Sequence, residues 1–155
     1  MPHAEDRLKE LGIELPAPAE PMANYVRAKR VGNLLFVAGH GPARAPDGRR
    51  PTGKVGRDLT LDEAYQAARL TGLNLLASVR AELGSLDRVK QVVKVLGMVN
   101  CAPSFNRTPQ VINGCSDLFV DLFGREAGSH ARAAVGMAEL PNDIPVEIEM
   151  IVEIE

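Results

Sequence analysis

Two stretches of this chain place apolar residues at helical spacing. From Thr60 to Gly84, the residues Ala64, Ala68, Thr71, Leu75, Val79 and Leu83 fall on one stripe. Thr60-Leu61-Asp62-Glu63 reads as a capping box, in which hydroxyl and carboxylate each satisfy an amide that the first turn leaves unpartnered. Gly84 is placed to end that helix. A second helix is expected from Thr108 as N-cap, with Pro109 at the first position, to Gly124. Its stripe is Ile112, Cys115, Phe119 and Leu122. Residues 4–11 predict a short helix stopped by Gly12, and Pro16, Pro18 and Pro21 make the next segment an extended lead-in.

The remaining apolar runs have strand character. Residues 25–30 and 34–38 predict two strands joined through Val31-Gly32-Asn33, a hairpin signal. Residues 89–99 are β-branched and long enough for a central strand, and 130–138 predict another. In 145–154, Val146, Ile148, Met150, Val152 and Ile154 share one face, while Glu147, Glu149, Ile151 and Glu153 share the other. Residues 39–58, rich in Gly, Pro and Arg, are expected to be a long surface loop. Past the short N-terminal helix the order is β-β-α-β-α-β-β. This is an α+β single domain spanning 1–155, with 1–20 as an N-terminal extension and two helices on one face of a mixed sheet. The opposite face carries too many apolar residues to stay wet, so assembly is expected.

Composition narrows the function. A net charge of −2, no Trp and 4% aromatics argue against a nucleic-acid surface. Cys101 and Cys115 form no metal-ligand spacing, and no metal site is expected. The charged first residues lack the apolar core of a signal peptide and no stretch is of membrane-spanning length, so a cytoplasmic address is expected.

Candidate chemistry starts with Arg132. It shares a strand face with His130, Ala134, Gly136 and Ala138, so a guanidinium stands among small side chains with room for a carboxylate. The competing reading is an ion pair with a carboxylate such as Glu149. Glu147 and Glu149 are candidates for a general base or for ordinary charge pairing. His40, between Gly39 and Gly41, and His130 are weaker candidates for a ligand site.

These segments together resemble the RidA/YjgF family. The resemblance rests on Asn24-Tyr25, on Gly32-Asn33-Leu34-Leu35-Phe36-Val37-Ala38-Gly39, and on Leu83-Gly84-Ser85-Leu86-Asp87-Arg88-Val89. It rests most specifically on Ala131-Arg132-Ala133-Ala134-Val135 followed by Leu140-Pro141 and Val146-Glu147-Ile148-Glu149. What the resemblance implies is a chorismate-mutase-like fold and a homotrimer with a barrel core, its ligand clefts lying between subunits. It also implies a cofactor-free deaminase of enamines and imines such as 2-aminoacrylate. The carboxylate-binding Arg falls on Arg132, the active-site Glu on Glu147, and further substrate contacts on Tyr25 and Asn113. The chain departs from the family pattern at Ala134, often Cys, at His40, where Gln is common, and in longer stretches over 39–58 and 102–111.

The alternative is a trimer of the same fold that binds a small carboxylate or metabolite without turnover, for which Glu147 would be dispensable. A chorismate-mutase-like isomerase would need several cations around its substrate, of which only Arg132 is placed.

Overall fold

A computed structural model describes residues 3–21 and 23–155. Helix α1 (Ala4–Glu10) precedes the hairpin β1 (Ala28–Val31) and β2 (Leu34–His40). Then come α2 (Leu61–Leu83), β3 (Val89–Asn100), α3 (Thr108–Gly128), β4 (Ala131–Met137) and β5 (Val146–Ile154). The strands form one sheet in the order β1-β2-β5-β3-β4, antiparallel except for the parallel pair β3 and β4. Helix α3 is therefore the crossover between two parallel strands, and it lies over the edge strand β4.

The expected elements are present, with three local differences. Strand β1 begins at Ala28, so Tyr25 lies before it. Thr108 is inside α3, behind Arg107 as N-cap, because its hydroxyl donates to the Ala134 carbonyl on β4 (3.0 Å) instead of capping. Gly124 breaks α3 with φ 84 and ψ 165, yet the chain makes a further turn to Gly128. The capping box of α2 forms as expected, and Gly84 ends the helix with φ 84.

The core lies between the sheet and the helix pair α2/α3. Val146, Ile148, Met150, Val152 and Ile154 of β5 are all buried, as their alternation requires. The helices cross at close range through two glycines. A Cβ on Gly114 would stand 2.0 Å from the Tyr65 carbonyl oxygen, and one on Gly72 would stand 2.9 Å from Leu118 Cδ2. The 39–58 segment is less superficial than its composition suggests. Val55 is fully buried and bridges Cys101, and the buried Asn100 accepts from Lys54 Nζ (2.7 Å) while donating to the Ile144 carbonyl (3.2 Å).

The sheet face away from the helices is open in the single chain. Phe36, Val31 and Val135 are exposed on it, and Val26, Lys29, Phe36, Leu96, Glu149 and Ile151 line a trough of ≈ 500 Å³.

Candidate functional site

Arg132 leaves the edge strand β4 on the helix-facing side. Its register partner on β3 is Val95, which is fully buried under the helices. The guanidinium is held by α3. Nη1 donates to Asn113 Oδ1 (2.8 Å) and to Ser116 Oγ (3.1 Å), and Nη2 donates to the Pro109 carbonyl at a longer 3.4 Å. Asn113 and Ser116 stand three residues apart and so share a helix face. None of these partners is a carboxylate, so the ion pair with Glu149 does not form, and the positive charge is oriented without being neutralised.

The hydrogen bonds engage three of the five guanidinium N–H groups. Nε–H and one Nη2–H remain without a partner among the described residues. Two parallel N–H donors on one edge match the two oxygens of a carboxylate. Ala134 and Gly136 follow on the same strand face and add little bulk beside the arginine.

Glu147 stands on the opposite face of the sheet. It alternates with the buried Val146 and Ile148 and pairs with Met98 on β3. Its side chain lies against Gly39, where a Cβ would meet Oε2 at 2.6 Å. A glycine at that position is therefore what makes room for the carboxylate. Burial, and secondarily the neighbouring Glu149 carboxylate, raises the Glu147 carboxyl above its ordinary value.

Tyr25 is half-exposed in the segment before β1, next in sequence to Val26, which lines the trough. The structure thus brings Arg132 and Asn113 together on the helix side, and it places Glu147 toward the open side, with Tyr25 exposed ahead of β1. One chain does not bring the two pairs face to face.

His40 differs from the expectation of a ligand contact. A bulge between Val37 and His40 shifts the alternation of β2 by one residue. The ring therefore joins Leu35 and Val37 on the helix side, 5% exposed. Its Nδ1 lies 2.6 Å from the Ala38 carbonyl and its Nε2 lies 2.7 Å from Ser78 Oγ on α2. Both nitrogens are engaged inside the fold, and burial lowers the affinity of the ring for a proton. His130 does share the face of Arg132, as its spacing requires. Ser116 is the member of this group that sequence reasoning missed. Its signal was the Asn113-to-Ser116 spacing, meaningful only once α3 is known to cover β4. Among the described residues, no three His, Cys, Asp or Glu side chains converge as a metal site would need, and no helix is long and apolar enough to cross a membrane.

The family model described as "YjgF/chorismate mutase-like, putative endoribonuclease" matches residues 5–151. Protein TCP17 of Trypanosoma cruzi is 46% identical over 147 residues, covering 95% of this chain and 91% of its own. A 2-iminobutanoate/2-iminopropanoate deaminase of Dermatophagoides farinae is 32% identical over 143 residues, covering 92% of this chain and 95% of its own. A crystal structure of a protein of unknown function from Agrobacterium tumefaciens, 46% identical, superposes with a TM-score of 0.85 over 97% of this chain and 91% of that one. On the family match and these relatives, the chain belongs to the YjgF/chorismate mutase-like family.

Proposed function

We propose that this protein is an enamine/imine deaminase acting on small carboxylates such as 2-aminoacrylate, and that its active sites form between the subunits of a homotrimer. The observation that carries the reading is Arg132, a guanidinium fixed by Asn113 and Ser116 with two N–H donors left over. The similarity to a named 2-iminobutanoate/2-iminopropanoate deaminase supports the substrate class. The acidic net charge and scarce aromatics favour it over ribonucleolysis.

In this reading the two remaining donors of Arg132 take the substrate carboxylate, and Asn113, whose carbonyl orients the arginine, offers its amide N–H groups to the same ligand. Protonation of the enamine methylene carbon gives the imine. Water then adds to the imine carbon, its oxygen forming the new C–O bond while its proton leaves to a base. Proton transfer to nitrogen and collapse of the carbinolamine break the C–N bond, releasing ammonia and a 2-oxo acid. Glu147 of a neighbouring subunit, with its raised carboxyl, positions that water and carries the proton between carbon, oxygen and nitrogen. Tyr25 of the same neighbour closes the cleft. Because the reaction proceeds slowly in water, positioning and one proton relay are a sufficient catalytic contribution.

The test is the release of ammonia and 2-oxo acid from enzymatically generated 2-aminoacrylate. The wild type accelerates it, and Arg132→Ala, still folded, loses at least about a hundredfold through loss of substrate positioning. An Arg132→Ala protein with wild-type turnover would remove the basis of the proposal.

A further inference from the structure

We propose that His130 is a positioning residue: acting through Ser116, it locks the Arg132 guanidinium in its carboxylate-binding orientation. The inference rests on the reading of Arg132 as a carboxylate-binding group.

The geometry is a directed chain of hydrogen bonds. His130 Nδ1 lies 2.7 Å from the Gly128 carbonyl oxygen. A carbonyl only accepts, so Nδ1 carries the ring proton. In the neutral ring Nε2 then presents a lone pair, and Ser116 Oγ stands 2.9 Å from it. The serine proton must therefore point at His130. That leaves the oxygen lone pairs of Ser116 facing Arg132 Nη1, which donates to them at 3.1 Å. With the ring neutral, the guanidinium as donor and the carbonyl as acceptor fix every intermediate direction.

Two features keep the chain rigid and neutral. The anchoring Gly128 sits where the turn after Gly124 folds back on the helix. A Cβ there would meet the Phe119 carbonyl oxygen at 2.5 Å, so the backbone is packed as closely as glycine permits. The His130 ring is gripped edge-on by Phe119, with centroids 6.0 Å apart and planes at 73°. Burial, with the nearby Arg132 charge as a smaller contribution, holds the ring below the ordinary histidine value, against the opposing pull of the Gly128 carbonyl. A neutral ring at working pH is what the chain requires.

The physical consequence follows from the chemistry of serine. A lone hydroxyl is a rotor with one proton, and its dipole can turn toward or away from a cation. Without an acceptor behind it, Ser116 spends part of its time aiming its proton at Arg132. With His130 behind it, only the lone pairs face the guanidinium. The site thus gains orientation from a group that never touches substrate, as the outer-shell partners of metal ligands give their ligands orientation.

Two measurements test this. The first is a long-range 1H–15N correlation spectrum of the wild-type protein. The expected result is the Nδ1–H tautomer for His130, and an Nε2–H tautomer would overturn the chain. The second is the affinity for pyruvate, a simple 2-oxo acid, in wild type, Arg132→Ala, His130→Gln, His130→Asn and Arg132→Ala/His130→Asn. Gln reaches Ser116 with an acceptor, whereas Asn reaches only Gly128. His130→Asn should bind about tenfold more weakly, the scale of one lost oriented hydrogen bond, while His130→Gln stays near wild type. In the Arg132→Ala background His130→Asn should add nothing, since the coupling runs through the arginine. Equal effects of Gln and Asn, or an Asn effect that persists without Arg132, would overturn the positioning role and leave the carboxylate site intact. Wild-type pyruvate binding by Arg132→Ala would instead overturn the carboxylate site itself.

Discussion

At the scale of single residues, the two charged groups of the proposed site are prepared in opposite ways. Arg132 is held by neutral oxygens, so its charge is available to a ligand. Glu147 is half-buried beside a second carboxylate, so its proton is held more tightly than that of a free glutamate. Activity that needs Glu147 ionised should therefore fall on the acid side with a midpoint above the usual glutamate value. Glu149→Gln removes a neighbouring negative charge and should move that midpoint to lower pH, while Glu147→Gln should abolish most of the activity. A pH–rate profile whose acid limb is the same in wild type and Glu149→Gln would disconnect the limb from Glu147.

At the scale of elements, the site depends on how closely α3 rides on α2 and on the sheet. Gly114 stands between Asn113 and Cys115 and meets the Tyr65 backbone with no room for a methyl. Gly114→Ala must push the helices apart, at a cost of about 3 kcal/mol or more from overpacking. Because the same turn carries Asn113 and Ser116, activity should fall further than the loss of folded protein explains. Denaturation midpoints measured beside turnover of the folded fraction separate the two effects. On β2 the buried His40 makes stability pH-dependent. Its proton affinity is lowered by folding, so the unfolded chain takes up the proton first. The contribution of neutral His40 is complete above the unfolded value of 6.5 and is lost as pH falls from there toward the lower folded value. His40→Asn should be less stable throughout, and its stability should decline less between neutral and mildly acid pH, as denaturant midpoints across that range will show.

The same elements explain what could be read in advance. The faces of β5 follow from simple alternation, because the irregularities in its pairing are extra residues in β2 and β3 and none lies in β5 itself. The start and end of α2 are written in Thr60, Glu63 and Gly84. The burial of His40 is not legible in the sequence, because one extra residue in β2 sets its side and Gly39 beside it carries no hydrophobic signal. Ser116 was invisible for another reason. Its partnership with Arg132 depends on the parallel pairing of β3 with β4, a long-range choice that no local pattern encodes.

At the scale of the whole molecule, one sheet separates the two halves of the proposed chemistry. Arg132 and Asn113 lie on the helix side of an edge strand, and Glu147 lies on the open side, where Phe36, Leu96 and Ile151 await cover. In the proposed assembly, packing the open face of one copy against the β4 edge of another would bury the apolar residues and complete the site in one step. Ile151 pairs with Phe36 and Lys94 in the middle of that face. Ile151→Asp should leave the secondary structure unchanged while converting the proposed trimers to smaller species, by sedimentation or native mass. Its activity should vanish with assembly.

The central claim is that Arg132 and Glu147 act together from different subunits, and subunit mixing tests it most directly. Arg132→Ala and Glu147→Gln homotrimers should each be inactive toward 2-aminoacrylate. After unfolding and refolding as an equal mixture, about a quarter of the intersubunit sites should pair an intact Arg132 with an intact Glu147, and about that share of wild-type deaminase activity should return. Mixed trimers, verified by mass, that stay inactive would contradict the account.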